Sequence, residues 1–196
     1  STLTKFLADH PSSAWCLSVQ SALGMLYRQS GYFSRAIETW QTVWSKGKAM
    51  SDPKGKQLVD QSLGELSRLL ASLGRYEVLE PLFKEIASRE IDGAAYSRIV
   101  GASEGLGMMN NRPENAFRCG PLALDRIRIS LGIQDEFSAK IVETKSTRKG
   151  LSLSNVAMLA QEAGMDYVTA RRDEGAKVIV PAVVHWKSGH FAAIVR

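Results

Sequence analysis

Two residues in this 196-residue chain stand where covalent chemistry could be run, Cys119 and His190. Cys119 opens the run Cys119-Gly120-Pro121-Leu122-Ala123-Leu124-Asp125-Arg126-Ile127. Leu122, Ala123, Ile127, Leu131 and the stem of Arg126 recur at helical spacing, and Gly132 comes next as a stop. This pattern predicts a helix with Cys119 at its N-terminal end and Pro121 in the first turn, where proline is tolerated. Unpaired N–H groups and the positive end of the helix dipole favour a thiolate there, the form of cysteine that attacks a carbonyl carbon. A purely structural cysteine is the competing reading of Cys-Gly-Pro taken alone. His190 begins a β-rich run directly after Gly189 and is the candidate general base.

Three elements have to position that pair. Leu151-Ser152-Leu153-Ser154 introduces a capped helix over 155–163, closed by Gly164. A short strand is predicted over 166–171. Two further β-rich runs, 177–185 and 190–195, are joined by Trp186-Lys187-Ser188-Gly189, a hairpin signature.

The order of these pieces resembles a known family. Cys-Gly-Pro at a helix start is succeeded by Gly150-Leu151-Ser152-Leu153 before a helix. Then comes Pro181-Ala182-Val183-Val184-His185-Trp186-Lys187-Ser188-Gly189-His190-Phe191-Ala192-Ala193-Ile194. The pattern is similar to the bacteriocin-leader-processing peptidases, papain-like cysteine peptidase domains that cut after double-glycine leaders. It covers about residues 113–196 and is most specific over 181–194.

The resemblance implies a papain-like fold with an antiparallel sheet, Cys119 as nucleophile, and His190 as the base that later protonates the leaving amine. His185 falls on the His-Trp element and, with Trp186 and Gly189, is expected to line the cleft. The family carries a glutamine six residues before the cysteine, whose amide helps bind the oxyanion; Pro113 holds that place here. Asn115 is the candidate amide in its stead, with the Cys119 N–H as the second donor. The family's orienting Asp or Asn comes after the histidine strand, and no residue up to Arg196 fills that place, so it is expected from a continuation of the chain or from another chain. Asp166 and Asp173 lie on the wrong elements for that role.

Residues 13–108 read as helices throughout, and they repeat. Gly31, Phe33, Ala36, Trp40 and Val43 match Gly74, Tyr76, Leu79, Phe83 and Ile86 at a constant offset of 43, as Leu23 and Tyr27 match Leu66 and Leu70. Glycine at each inter-helix turn permits the left-handed conformation that closes one helix before the next begins. The run Leu23-Gly24-Met25-Leu26-Tyr27, with Gly31 and Ala36 after it, resembles tetratricopeptide repeats. The second copy departs from them at Ser67 and Leu79, and its Pro81 is expected within the first turn or so of its helix. A third helix over 94–108 completes the stack. Such a segment is either a platform for a peptide or partner protein or a spacer that orients the C-terminal domain.

The expected architecture is therefore α+β. Residues 1–110 form a tetratricopeptide-like helical segment and 111–196 a papain-like peptidase domain, with the break at Asn110-Asn111-Arg112-Pro113. The net charge of +5 is shared almost evenly between the two parts and gathers in no basic stripe, so nucleic acid is not an expected partner. No apolar run is long enough to span a bilayer, and no leader is visible ahead of Ser1. Cys16 and Cys119 lie 103 positions apart, and no Cys/His spacing suits a metal; no cofactor is expected.

The expected function is a bacterial thiol peptidase that cuts a peptide, or another part of its own parent, docked by the helical segment. A large secreted multi-domain parent fits that expectation. A degenerate peptidase-like module for peptide binding or assembly is the alternative, and acyl transfer to an amine is a third outcome of the same thioester chemistry.

Overall fold

The computed structural model describes residues 2–133 and 135–196. The chain forms two compact units, Ser1–Gly107 and Met108–Arg196. The division falls inside a helix, a few residues ahead of the break expected at Asn110–Pro113.

The first unit is helical: α1 (Thr2–Asp9), α2 (Cys16–Gln29), α3 (Phe33–Gly47), α4 (Pro53–Ser72), α5 (Tyr76–Glu85) and most of α6 (Gly93–Asn111). The repeat is visible in its turns, where Gly31 and Gly74 take φ values of 77° and 69°. It is visible in its core as well, since Ala36, Trp40, Val43, Leu66, Leu70, Leu79 and Ile86 are all buried. Gly24 makes the first helix pair close, because a Cβ there would overlap the Trp40 indole. At the equivalent position of the second pair, where Phe83 replaces Trp40, the chain can carry the larger Ser67. The Asp52 carboxylate caps α4 by accepting from Gly55 N at 2.8 Å, with Pro53 at the first helical position.

Pro81 departs from expectation: it lies in the middle of α5, beyond the first turn. The helix keeps its place by burying Leu79 and Leu82 on either side of that proline. Charge ties the pairs together. Glu65 of α4 stands 2.9 Å from Arg28 of α2 and 2.8 Å from Arg98 of α6, so one nearly buried carboxylate joins three helices.

The second unit is α+β. It contains α7 (Pro113–Ala116), α8 (Cys119–Ser130), α9 (Glu136–Glu143), α10 (Leu153–Glu162), β1 (Ala182–His185) and β2 (Phe191–Ile194). The strands pair antiparallel, from Ala182 opposite Ile194 to His185 opposite Phe191. Ala123, Leu124 and Ile127 of α8 form a core with Ile141, Val156, Leu159 and Phe191.

Three expectations need correction. The stretch 166–171 forms no strand, and the run 177–185 is strand only over Ala182–His185. The residues ahead of Pro181 lie exposed, Val168 at 87 % and Ile179 at 74 %, so their β propensity finds no neighbour to pair with. The buried face of α8 is also turned from the expected one. Leu122, Arg126 and Leu131 are not part of the buried face, while Leu124 and Arg128 are buried. Arg128 explains the rotation. Its Nη1 donates to Ala163 O at 2.7 Å at the end of α10, and its Nη2 pairs with Asp135 ahead of α9. A polar residue thus occupies a core position because the neighbouring helix ends offer it acceptors.

Candidate functional site

Cys119 is the first residue of α8 and is half-buried against the second unit's core. The next residue sets the approach of the sheet. Gly120 is buried, and a Cβ added there would stand 2.6 Å from Val156 Cγ2 and 3.6 Å from Phe191 Cδ2. Only glycine lets the start of α8 lie this close to α10 and β2. The packing places the neighbour of Cys119 against the neighbour of His190.

The hairpin is built for its turn. Gly189 N donates to Trp186 O at 2.9 Å, Trp186 N donates to His190 O at 2.9 Å, and Gly189 has φ 78°. This is a three-residue loop closed by a left-handed glycine, the geometry that a Lys-Ser-Gly sequence favours. Phe191, Ala193 and Val183 turn toward the core, so their cross-strand and alternate neighbours are fixed by the pleat.

The two histidines of the hairpin meet different aromatic rings. His185, opposite Phe191, lies flat on that ring with centroids 4.2 Å apart and planes 10° from parallel. His190 tilts against Trp186, with centroids 5.9 Å apart. Burial pushes the His190 imidazole below its ordinary value, which favours the neutral form. Among the described residues no hydrogen bond joins the Cys119 sulfur to His190.

Asn115 sits on α7, exposed, and its amide donates to Glu114 Oε1 at 3.4 Å. That contact engages the amide locally. Glu114 is held in turn through its carbonyl, which accepts from Ser146 N at 3.0 Å. Both cysteines are free thiols; Cys16 begins α2 and donates to His10 O at 3.1 Å. Among the described residues no group of three or more His, Cys, Asp or Glu side chains is placed to hold a metal ion. No described helix is long and apolar enough to cross a membrane.

The sequence did not point to Arg128, Gly120 or Phe191 as the residues that set the site's geometry. Arg128 carries no such signal, since a basic residue on a helix reads as solvated. For Gly120 the signal was present: a glycine in the first turn, where helix propensity favours almost anything else, marks a close approach.

Comparison with protein-family models, with curated proteins and with solved structures returns no match.

Proposed function

We propose that the second unit is a papain-like peptidase-like module that holds a peptide, or joins parts of a larger protein, without cleaving it, and that the helical first unit serves as docking platform. One observation carries this reading. Both imidazoles of the hairpin meet aromatic rings, His185 stacked on Phe191 at 4.2 Å and His190 tilted against Trp186 at 5.9 Å, and among the described residues no hydrogen bond joins His190 to the Cys119 thiol. An imidazole engaged in this way lines a surface suited to peptide side chains, since aromatic and imidazole faces pack on both apolar and cationic groups.

The test is to incubate the full chain with a mixture of synthetic peptides and read both retention and new termini by mass spectrometry. Retained peptides with intact ends are expected. New termini made by wild type and lost in Cys119→Ala would overturn the reading in favour of cleavage.

That second, catalytic reading draws support from a separate observation: Cys119 begins α8, half-buried, with Gly120 packed toward Phe191 beside a His190 whose burial favours the neutral form. On it, the thiolate attacks a peptide carbonyl, His190 takes and returns the proton, and water or an amine resolves the thioester. The acceptor is read from the products when an amine is supplied.

A further inference from the structure

The 43-residue repeat lets one copy be compared with the other, and the comparison picks out a groove in the second copy. In the first copy Trp40, Val43, Trp44 and Gly47 of α3 are all buried. The next two helices cover them. A Cβ on Gly47 would overlap Val59 of α4, and the Trp44 indole donates to Glu85 Oε2 of α5 at 3.2 Å. Lys48 meets the same carboxylate at 2.6 Å, so the covering helix brings an acid to a host lysine.

At the matching positions 43 residues on stand Phe83, Ile86, Ala87 and Glu90, and these line an open groove of about 540 Å³. Tyr96, Ile99 and Ser103 of α6, the counterpart of α4, form its other wall. Among the described residues of the first unit, no helix comes after α6 to take the place that α5 takes in the earlier copy.

The charge at the groove is inverted. Gly47, Lys48 and Ala49 of the first copy correspond to Glu90, Ile91 and Asp92, which replace a lysine by two carboxylates flanking an isoleucine. Two cations stand beside them: Arg89 pairs with Asp60 at 2.6 Å and donates to Lys48 O at 2.8 Å, and Lys56 pairs with the same Asp60 at 2.8 Å and donates to Glu90 O. With Asp60, Glu90 and Asp92 together the carboxylates still outnumber the cations. A helix that seats here must therefore carry Lys or Arg where α5 carries Glu85.

We propose that this groove docks an amphipathic helix of a partner protein, with apolar side chains on Phe83, Ile86 and Ile99 and a cation between Glu90 and Asp92. The proposal rests on the docking role given above to the first unit and names its partner class.

The probe is a fluorescein-labelled peptide of residues 75–88, in native form and carrying Glu85→Lys, titrated with the full chain by anisotropy. The Glu85→Lys peptide is expected to bind at least tenfold more tightly than the native one. In the double variant Glu90→Lys, Asp92→Lys, the preference is expected to reverse. Both sites are exposed, and circular dichroism checks that the fold is kept. Ile99→Ser, which takes an apolar contact off the α6 wall of the groove, is expected to weaken the Glu85→Lys peptide at least fivefold. Binding that is indifferent to charge, or to Ile99→Ser, overturns the groove alone. No binding by either peptide overturns the docking role with it.

Discussion

Phe191 lies against Gly120, its ring carbon 3.6 Å from the point where a Cβ would stand, and this contact joins the strand after His190 to the helix that begins at Cys119. The two chemically interesting residues are thus neighbours of a packed pair, so their placement depends on packing as much as on their own side chains.

Gly120→Ala sets two effects in opposition. Alanine favours a helix over glycine by about 1 kcal/mol. The new methyl would sit 2.6 Å from Val156 Cγ2, a stiff β-branched side chain, and overpacking of that kind costs about 1–3 kcal/mol. The expected net result is destabilisation of the second unit in urea unfolding. Adding Val156→Ala should recover part of the overlap cost, leaving less than additive loss.

Arg128 and Asp135 should respond unequally. Asp135 is 41 % exposed and can be re-solvated when its partner goes, so Arg128→Met loses mainly the bond to Ala163 O, about 1.5–3 kcal/mol. Removing the acid instead leaves a guanidinium that is 2 % exposed without its counter-charge, which costs about 3–5 kcal/mol. Asp135→Ala also removes the cap on α9, where the carboxylate accepts from Phe137 N at 3.0 Å. Asp135→Ala is therefore expected to destabilise more than Arg128→Met, as read by denaturant midpoints of the two variants.

His190 gives the second unit a pH dependence of fixed sign. Burial lowers its folded-state value below the ordinary 6.5, so between the two values the unfolded chain binds the extra proton. The stability that goes with the neutral imidazole is fully present above about 6.5 and is lost as pH falls through the folded value. Thermal midpoints should drop over that window in wild type and drop less in His190→Gln. A histidine proton resonance of His190 titrating above 6.5 would contradict the assignment.

Much of this was legible before any coordinates. The inter-helix glycines, a helix cap within Leu151–Ser154 and the Lys187-Ser188-Gly189 loop are local features, and local chemistry decided them. Cys119 at a helix start was legible for the same reason. What escaped the sequence depends on tertiary neighbours. The apolar residues at 178–180 read as strand, yet a strand forms only where a partner pairs with it, and theirs begins at Ala182. Arg128 is held in the core by acceptors at the ends of α9 and α10, which no local pattern announces. Helices α1 and α9 went unread because each is a single short amphipathic segment without a repeat partner.

The most direct measurement is the labelling rate of Cys119 by a thiol-reactive peptide probe in a Cys16→Ser background, compared with the same chain carrying His190→Ala. A module whose imidazoles serve the peptide surface predicts slow labelling that changes less than about twofold when His190 is removed, and none once Cys119→Ala is introduced. Rapid labelling that falls a hundredfold or more with His190→Ala would contradict it, because that dependence is the signature of a base acting on the thiol.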